Sequence, residues 1–396
     1  MKVGILTYHS EMNYGCTLQA FAMQEAYKEL GQEPVIIDRY ITPDNSLLLG
    51  PLSRKGFKNF IKNVFLLTVW GCGTFSMIMR ALKTLRFHRR YMHKTPYSFY
   101  DWKDAPKNLG VDMISVGSDQ IWNANLYSPV SYLLKDVSCD IPGISYAASI
   151  GMPELSPQYL QEYKDGFARF KAISVREKQG VKLVNDLGFD AVQVVDPTLL
   201  VDSALWEKFK SKKTYKRKRL LCYTLAEDLL ELLPKLERFS KENDCDVVVF
   251  PDRYEKWYGL KPINFIKTQK LRLRFLKSPV KIFISAAIED FMREISAATW
   301  IVTNSYHAMM FSVIYRRNVR IIIPSDKVRQ GMHARMQEFA GTIIDGPLMQ
   351  PGIIEALNSF KKGEKVIFNE EELKKRIDDS KAWLKTQLGK IENAVN

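Results

Sequence analysis

Residues 2–38 read KVGILTYHSEMNYGCTLQAFAMQEAYKELGQEPVIID. Two short apolar runs, Val3 to Thr7 and Val35 to Asp38, enclose a stretch with helical spacing. From Thr17 to Leu30, Leu18, Phe21, Ala22, Ala26 and Leu30 fall on roughly one stripe, and Gly31 stops it. Such a strand–helix–strand unit predicts parallel strands joined by a right-handed crossover.

The same alternation continues outward. Short apolar runs recur at Met113–Val116, Ile144–Ala147, Ala172–Val175 and Val192–Val195. Each ends in small or polar residues, as strands of a parallel sheet do at their ligand-binding ends. Later runs at Leu220–Thr224, Val247–Phe250, Trp300–Thr303 and Val319–Ile323 repeat the theme. Helices are expected from Glu289 to Ala298 and from Glu371 to about Glu392. The chain's 396 residues exceed one ordinary core. The charged stretch after Pro197 marks the boundary, giving residues 1–205 as one domain and 206–396 as a second that ends in the final helix. The expected architecture is α/β: two Rossmann-like parallel-sheet domains, glycosyltransferase-B-like. A basic helical insertion at about 50–95 interrupts the first.

Composition narrows the function. No cleavage-site pattern follows the start Met1-Lys2-Val3, so no secretory leader is expected. No run reaches the ~20 apolar residues of a membrane span; the closest is Val64 to Trp70. The five cysteines (Cys16, Cys72, Cys139, Cys222, Cys245) form no CxxC pair. Neither a disulfide framework nor a zinc site is expected, which suits the cytoplasm. The net charge of +14 is uneven. Arg54 to Lys94 holds ten Lys/Arg and no acid, interleaved with Phe57, Phe60, Phe65, Trp70 and Phe87. That fits a peripheral surface for anionic lipid at the inner face of the membrane, worth ~1 kcal/mol per engaged cation. A structural insertion with solvated lysines fits equally. No nucleic-acid motif accompanies the charge, so no nucleic acid is expected as a partner. A second cluster, Lys208 to Arg219, reads as a surface loop.

Five segments carry polar chemistry at strand ends. The first is Thr7-Tyr8-His9-Ser10-Glu11-Met12-Asn13-Tyr14-Gly15. Gly15 permits close backbone approach, and the helix start offers free amides; a plain connecting loop is the alternative. The second is Val116-Gly117-Ser118-Asp119-Gln120-Ile121-Trp122-Asn123. Asp119 and Asn123 can take hydroxyls and Trp122 offers an apolar face to a sugar, whereas a capped helix would explain Ser118 or Asp119 alone. Third, Arg176 follows an apolar strand and should face the cleft, where its fork suits carboxylate or phosphate; a local pair with Glu177 is the alternative. Fourth, His307 in Thr303-Asn304-Ser305-Tyr306-His307-Ala308 stands at a strand-to-helix turn, where an imidazole can exchange protons near pH 7; a structural His is the alternative. Fifth, Arg335 in His333-Ala334-Arg335-Met336-Gln337-Glu338-Phe339 could add a second cation, or be an exposed Arg at a helix start. There is no GxGxxG, GxSxG, P-loop or HExxH.

Taken in order, these segments resemble the bacterial polysaccharide pyruvyl transferase family. The matching stretches are Asn13-Tyr14-Gly15 with Leu18-Gln19-Ala20, Val116 to Asn123, Ile144 to Ser149, Ser174 to Glu177, Val195-Asp196-Pro197-Thr198-Leu199-Leu200, and Thr303 to His307 with Phe311-Ser312. The resemblance implies a metal-free transferase without a cofactor, with phosphoenolpyruvate as co-substrate, acting in exopolysaccharide biosynthesis. It places the catalytic roles on His307 and Arg176, with Arg176 and Arg335 holding the donor, residues 1–205 on the acceptor side and the donor-site His in 206–396. One subgroup has an Arg at the position of Ser305, so that contact would come from elsewhere, with Lys327 or Arg329 as candidates. The expected acceptor is a sugar, including a lipid-linked one. A nucleotide-sugar glycosyltransferase on the same fold is the alternative enzyme, and a basic membrane-surface scaffold the non-enzymatic one.

Overall fold

The first crossover forms as the spacing dictates. The computed structural model describes residues 1–9, 13–40, 72–138, 140–225, 229–251, 270, 273–323 and 327–395, with backbone alone for 72–78, 327–334 and 395. Strand β1 (Lys2–Leu6) leads into helix α1 (Tyr14–Glu29) and back to β2 (Glu33–Arg39), and the two strands pair in parallel. Val3, Ile5 and Leu6 are wholly buried, because a parallel strand is covered on both faces. Helix α2 (Cys72–Tyr91) is the described part of the basic insertion and runs into β3 (Lys94–Phe99). There follow β4 (Met113–Val116), β5 (Gly143–Ala148), β6 (Phe170–Val175) and β7 (Ala191–Gln193). All seven strands lie in one parallel sheet, in the order β3-β2-β1-β4-β5-β6-β7.

The second half builds a like sheet. Its strands are β8 (Lys218–Tyr223), β9 (Cys245–Val249), β10 (Lys281–Ile282), β11 (Trp300–Thr303), β12 (Asn318–Ile322) and, beyond a short β13 (Ile344–Asp345), β14 (Met349–Gln350). The order is β10-β9-β8-β11-β12-β14, all parallel. β13 pairs antiparallel with β15 (Ile367–Phe368). The helices that frame the site here are α3 (Ile288–Ala297), α4 (Tyr306–Ile314), α5 (Lys327–Ile343) and the last one, α6 (Glu370–Val395).

Both sheets reverse strand order once, between β1 and β4 and between β8 and β11. Such switch points open a crevice beyond the strands' C-terminal ends; Gly117 and Asn304 follow β4 and β11 directly, and Asn13 precedes α1 in the connection from β1. The largest apolar cluster runs across both halves, joining Val3 and Leu18 to Leu221, Met309 and Leu384. Helix α1 therefore departs from a one-stripe pattern: Tyr14 through Gln24 are all buried, because it is wedged between its own sheet and the second half. Helix α6 returns to the first half, where Ser380 Oγ accepts from Val195 N at 3.0 Å. Among the described residues no helix is long and apolar enough to cross a membrane. Val64 to Trp70, the insertion from 54 to 71, Ser10-Glu11-Met12 and residues 254–269 lie outside the described residues, as do the side chains of Lys327, Arg329 and His333.

Candidate functional site

Asn13 fixes how the chain leaves β1. Its side chain accepts from Gly15 N at 2.8 Å and Cys16 N at 3.4 Å, capping α1. The next two residues engage the second half. Tyr14 stacks on Phe291, with centroids 4.5 Å apart, and meets Tyr223 and Phe250 edge-on. Gly15 lies against His307: a Cβ at this position would sit 2.1 Å from His307 Nδ1. Only glycine leaves that space.

His307 stands in the first turn of α4, just beyond β11. Asn304 ties this strand end to β8 by accepting from Leu225 N and donating to Leu225 O. Ser305 N donates to Thr303 Oγ1 at 3.0 Å. The turn so held brings His307 Nε2 to 3.6 Å from Asp196 Oδ2. Asp196 is wholly buried. It accepts from Arg176 Nη1 at 2.8 Å, Ser118 Oγ at 3.3 Å, Thr198 N at 3.0 Å and Thr198 Oγ1 at 2.8 Å. Burial pushes its carboxyl up, but His307, Arg176 and Thr198 outweigh that and hold it well below the carboxylate range. Asp119 is a second anion: burial opposes ionisation, and His307, Arg176, Cys16 and Arg335 more than offset it. Cys16 Sγ donates to Asp119 Oδ2 at 3.1 Å.

Two guanidiniums pack on one ring. Arg176 lies 4.1 Å and Arg335 5.2 Å from the Tyr306 centroid. Their electrostatics differ. Burial alone would lower Arg176, but Tyr306, Asp196 and Asp119 carry it above its ordinary value. Arg335 is pulled down to about 10, first by burial and then by the charge of Arg176. Arg335 Nη1 donates to Ser149 Oγ at 3.1 Å. Ser149 Oγ donates in turn to Glu177 Oε1 at 3.1 Å, which also accepts from Ile150 N and Gly151 N. Arg176 thus has its counter-charges, whereas Arg335 has the most to gain from an added anion. Arg176 Nε and Nη2, Arg335 Nε and His307 Nε2 are buried without a hydrogen-bond partner. Each such group costs about 1–3 kcal/mol unless an acceptor meets it.

The geometry brings together Gly15, Ser118, Asp119, Arg176, His307 and Arg335, and leaves other expected residues elsewhere. Tyr14 holds no ligand-facing position; its ring is an anchor between the halves. Trp122 offers no face to a sugar: it is wholly buried, its Nε1 donates to Tyr132 O at 3.1 Å, and Phe167 and Phe170 pack on its ring. Gln120 and Asn123 brace each other at 2.9 Å and Asn123 reaches Gly151 O, so they shape a turn behind the site. Asn13 caps a helix, and the Ser305 side chain caps nothing. Asp196, Tyr306, Ser149 and Glu177 were not marked as site residues by their sequence positions. Asp196 sits in Val195-Asp196-Pro197-Thr198 and caps the short helix that follows, its side chain accepting from Thr198 N. Among the described residues no group of three or more His, Cys, Asp or Glu could hold a metal ion.

A family model described as "Polysaccharide pyruvyl transferase" matches residues 13–326. Comparison with curated proteins gives no match. Among solved structures, the UDP-N-acetylglucosamine 2-epimerase from Rickettsia bellii is similar at a TM-score of 0.53 and 11% identity, covering 99% of this chain and 97% of that one. A UDP-GlcNAc 2-epimerase from Neisseria meningitidis, bound to UDP-GlcNAc, gives a TM-score of 0.49 at 10% identity over 98% and 100%. At such identity the likeness is one of fold: two parallel-sheet α/β domains in a glycosyltransferase-B-like arrangement.

Proposed function

The chain belongs to the polysaccharide pyruvyl transferase family, and from that premise we propose that it forms a pyruvate ketal on a sugar with phosphoenolpyruvate as donor. The observation that carries the reading is the set of buried, unpartnered N–H groups on Arg176, Arg335 and His307, contributed by both halves. A small ligand rich in carboxylate and phosphate oxygens supplies the acceptors they lack. Arg335, the cation least compensated by protein carboxylates, takes the donor first, and Arg176 adds Nη2 and Nε.

The chemistry then needs one proton moved onto carbon. Protonation of the donor's methylene makes a methyl group and leaves C2 electron-poor. A sugar hydroxyl adds there with loss of its proton, phosphate departs, and a second hydroxyl closes the ketal with loss of a second proton. One hydroxyl proton replaces the one delivered to carbon, and the other leaves with phosphate. His307 moves these protons. Asp196, kept anionic by its neighbours, stabilises the imidazolium each time it forms. The acceptor is a sugar of a polysaccharide or of its lipid-linked precursor, and no metal or cofactor takes part.

The test supplies a lipid-linked oligosaccharide fraction with either phosphoenolpyruvate or a panel of nucleotide sugars, and follows phosphate release and ketal by mass spectrometry. Consumption of a nucleotide sugar, with phosphoenolpyruvate untouched, would overturn the assignment in favour of a glycosyltransferase.

A further inference from the structure

Helix α2 is bound to both halves by one side and bare on the other. On its inner side Arg80 lies 4.6 Å over the Tyr14 ring, Thr17 Oγ1 and His88 Nε2 are 3.3 Å apart, and Phe87 packs wholly buried against Phe21 and Phe209. Lys83 Nζ donates to Ser285 O at 2.9 Å and pairs with Asp290 at 3.5 Å. These contacts fix the helix's rotation.

That rotation decides what faces outward. Leu82, Arg86, Arg89 and Arg90 are exposed, at i, i+4, i+7 and i+8, which is one stripe of a helix. Leu82 is 43% exposed, an apolar side chain among cations. Arg86 and Arg89 have no acidic partner among the described residues, and Arg90 stacks only on Tyr91, 5.2 Å from its centroid. The helix sequence CGTFSMIMRALKTLRFHRRY holds no Asp or Glu at all. An ordinary solvated helix face interleaves both signs; this one has a single sign on a fixed support.

We propose that this face docks the protein on a bilayer surface of anionic lipid, with Arg86, Arg89 and Arg90 among the headgroup phosphates and Leu82 at the acyl boundary. The contact would set the catalytic cleft beside the membrane, since Arg80 of the same helix touches Tyr14, and the next residue, Gly15, touches His307. The inference rests on charge and packing alone and stands whichever donor the site uses.

Co-sedimentation of the full chain with vesicles tests it. With phosphatidylglycerol in phosphatidylcholine at low salt, the wild type should pellet and be released by raised salt. With pure phosphatidylcholine it should stay in the supernatant. Each engaged cation contributes about fivefold to partitioning, so Arg86→Glu, Arg89→Glu and Arg90→Glu combined should lower it on the order of a hundredfold. The same sites changed to Lys should retain it. The triple-Lys variant should leave the thermal melt unchanged, and the triple-Glu variant should lower it only slightly, through the lost Arg90–Tyr91 contact and the lost cations of the helix's last turn. A wild type that stays in solution with anionic vesicles, or a triple-Glu variant that pellets equally, overturns the proposal. So does displacement from vesicles by a short RNA bound more tightly, which would assign the face to nucleic acid.

Discussion

At the residue scale, the centre works by holding buried charges in fixed opposition. His307→Ala removes the proposed proton carrier but none of the guanidiniums. Turnover should fall about 100- to 10,000-fold, while the thermal stabilisation expected from phosphoenolpyruvate should persist. Near-normal turnover would take the proton role from His307. A second polar group lies at the end of β2. Burial pushes Asp38 up, but hydrogen bonds from His9 at 2.8 Å and Lys94 at 2.9 Å, with their charges, hold it down to about 2. A carboxyl lowered in the folded state stabilises fully above its unfolded value and loses that contribution as pH falls through the folded one. Urea unfolding of wild type and Asp38→Asn should therefore differ most above about pH 4. The gap should narrow by about 2 kcal/mol towards pH 2. A gap independent of pH would mean that Asp38 is not held as an anion.

At the element scale, the start of α1 joins the two sheets. The Tyr14 ring fills a box of Phe291, Tyr223 and Phe250, and its hydroxyl donates to Ala286 O at a long 3.4 Å. Tyr14→Ala should cost about 3–5 kcal/mol, as for other buried aromatics, and lower turnover by letting Gly15 drift from His307. Tyr14→Phe keeps the ring and should be nearly neutral in both thermal melts and turnover. Equal damage from the two would assign the work to the hydroxyl. Helix α6 is the other connector. Its Leu373, Leu384, Leu388 and Ile391 are buried, each worth about 1.5–3 kcal/mol. Together they rival the whole ~5–15 kcal/mol stability of a domain. A chain ending at Asn369 should lose cooperative unfolding in circular dichroism. A sharp melt close to that of the full chain would show that α6 is dispensable.

At the scale of the whole molecule, the candidate site exists only where the halves meet. Gly15, Arg176 and Asp196 come from the first half, beyond β1, β6 and β7, and His307 and Arg335 from the other half. A donor that bridges them should act as a clamp. At a hundredfold excess over its dissociation constant phosphoenolpyruvate would add about 2.7 kcal/mol, seen as a raised melting temperature. Arg335→Ala should abolish that rise while leaving the unliganded melt near normal, since among the described residues Arg335 donates to Ser149 Oγ and forms no ion pair. Arg176→Ala is a poorer test, because it would strand Asp196 and Asp119 as buried, unpaired anions.

Local pattern alone determined much of this molecule. Apolar runs of strand length, separated by helical spacing and punctuated by Gly or polar residues, give two parallel sheets. A parallel strand is buried on both faces wherever it lies, so its signal does not depend on distant contacts. Positions such as His307 and Arg176 were legible because residues just beyond parallel strands face a cleft by geometry. Strand β3 was not read, since Pro96 breaks its pattern and an edge position tolerates that. The all-round burial of α1 and the return of α6 were not legible either, because both depend on what the second half covers. The tertiary structure also divided side chains that look alike in sequence. Trp122 became core and Tyr14 an anchor, while Asp196 became the carboxylate beside His307. Burial and partnership of a polar group are set by neighbours up to hundreds of residues away, and no local window of sequence contains them.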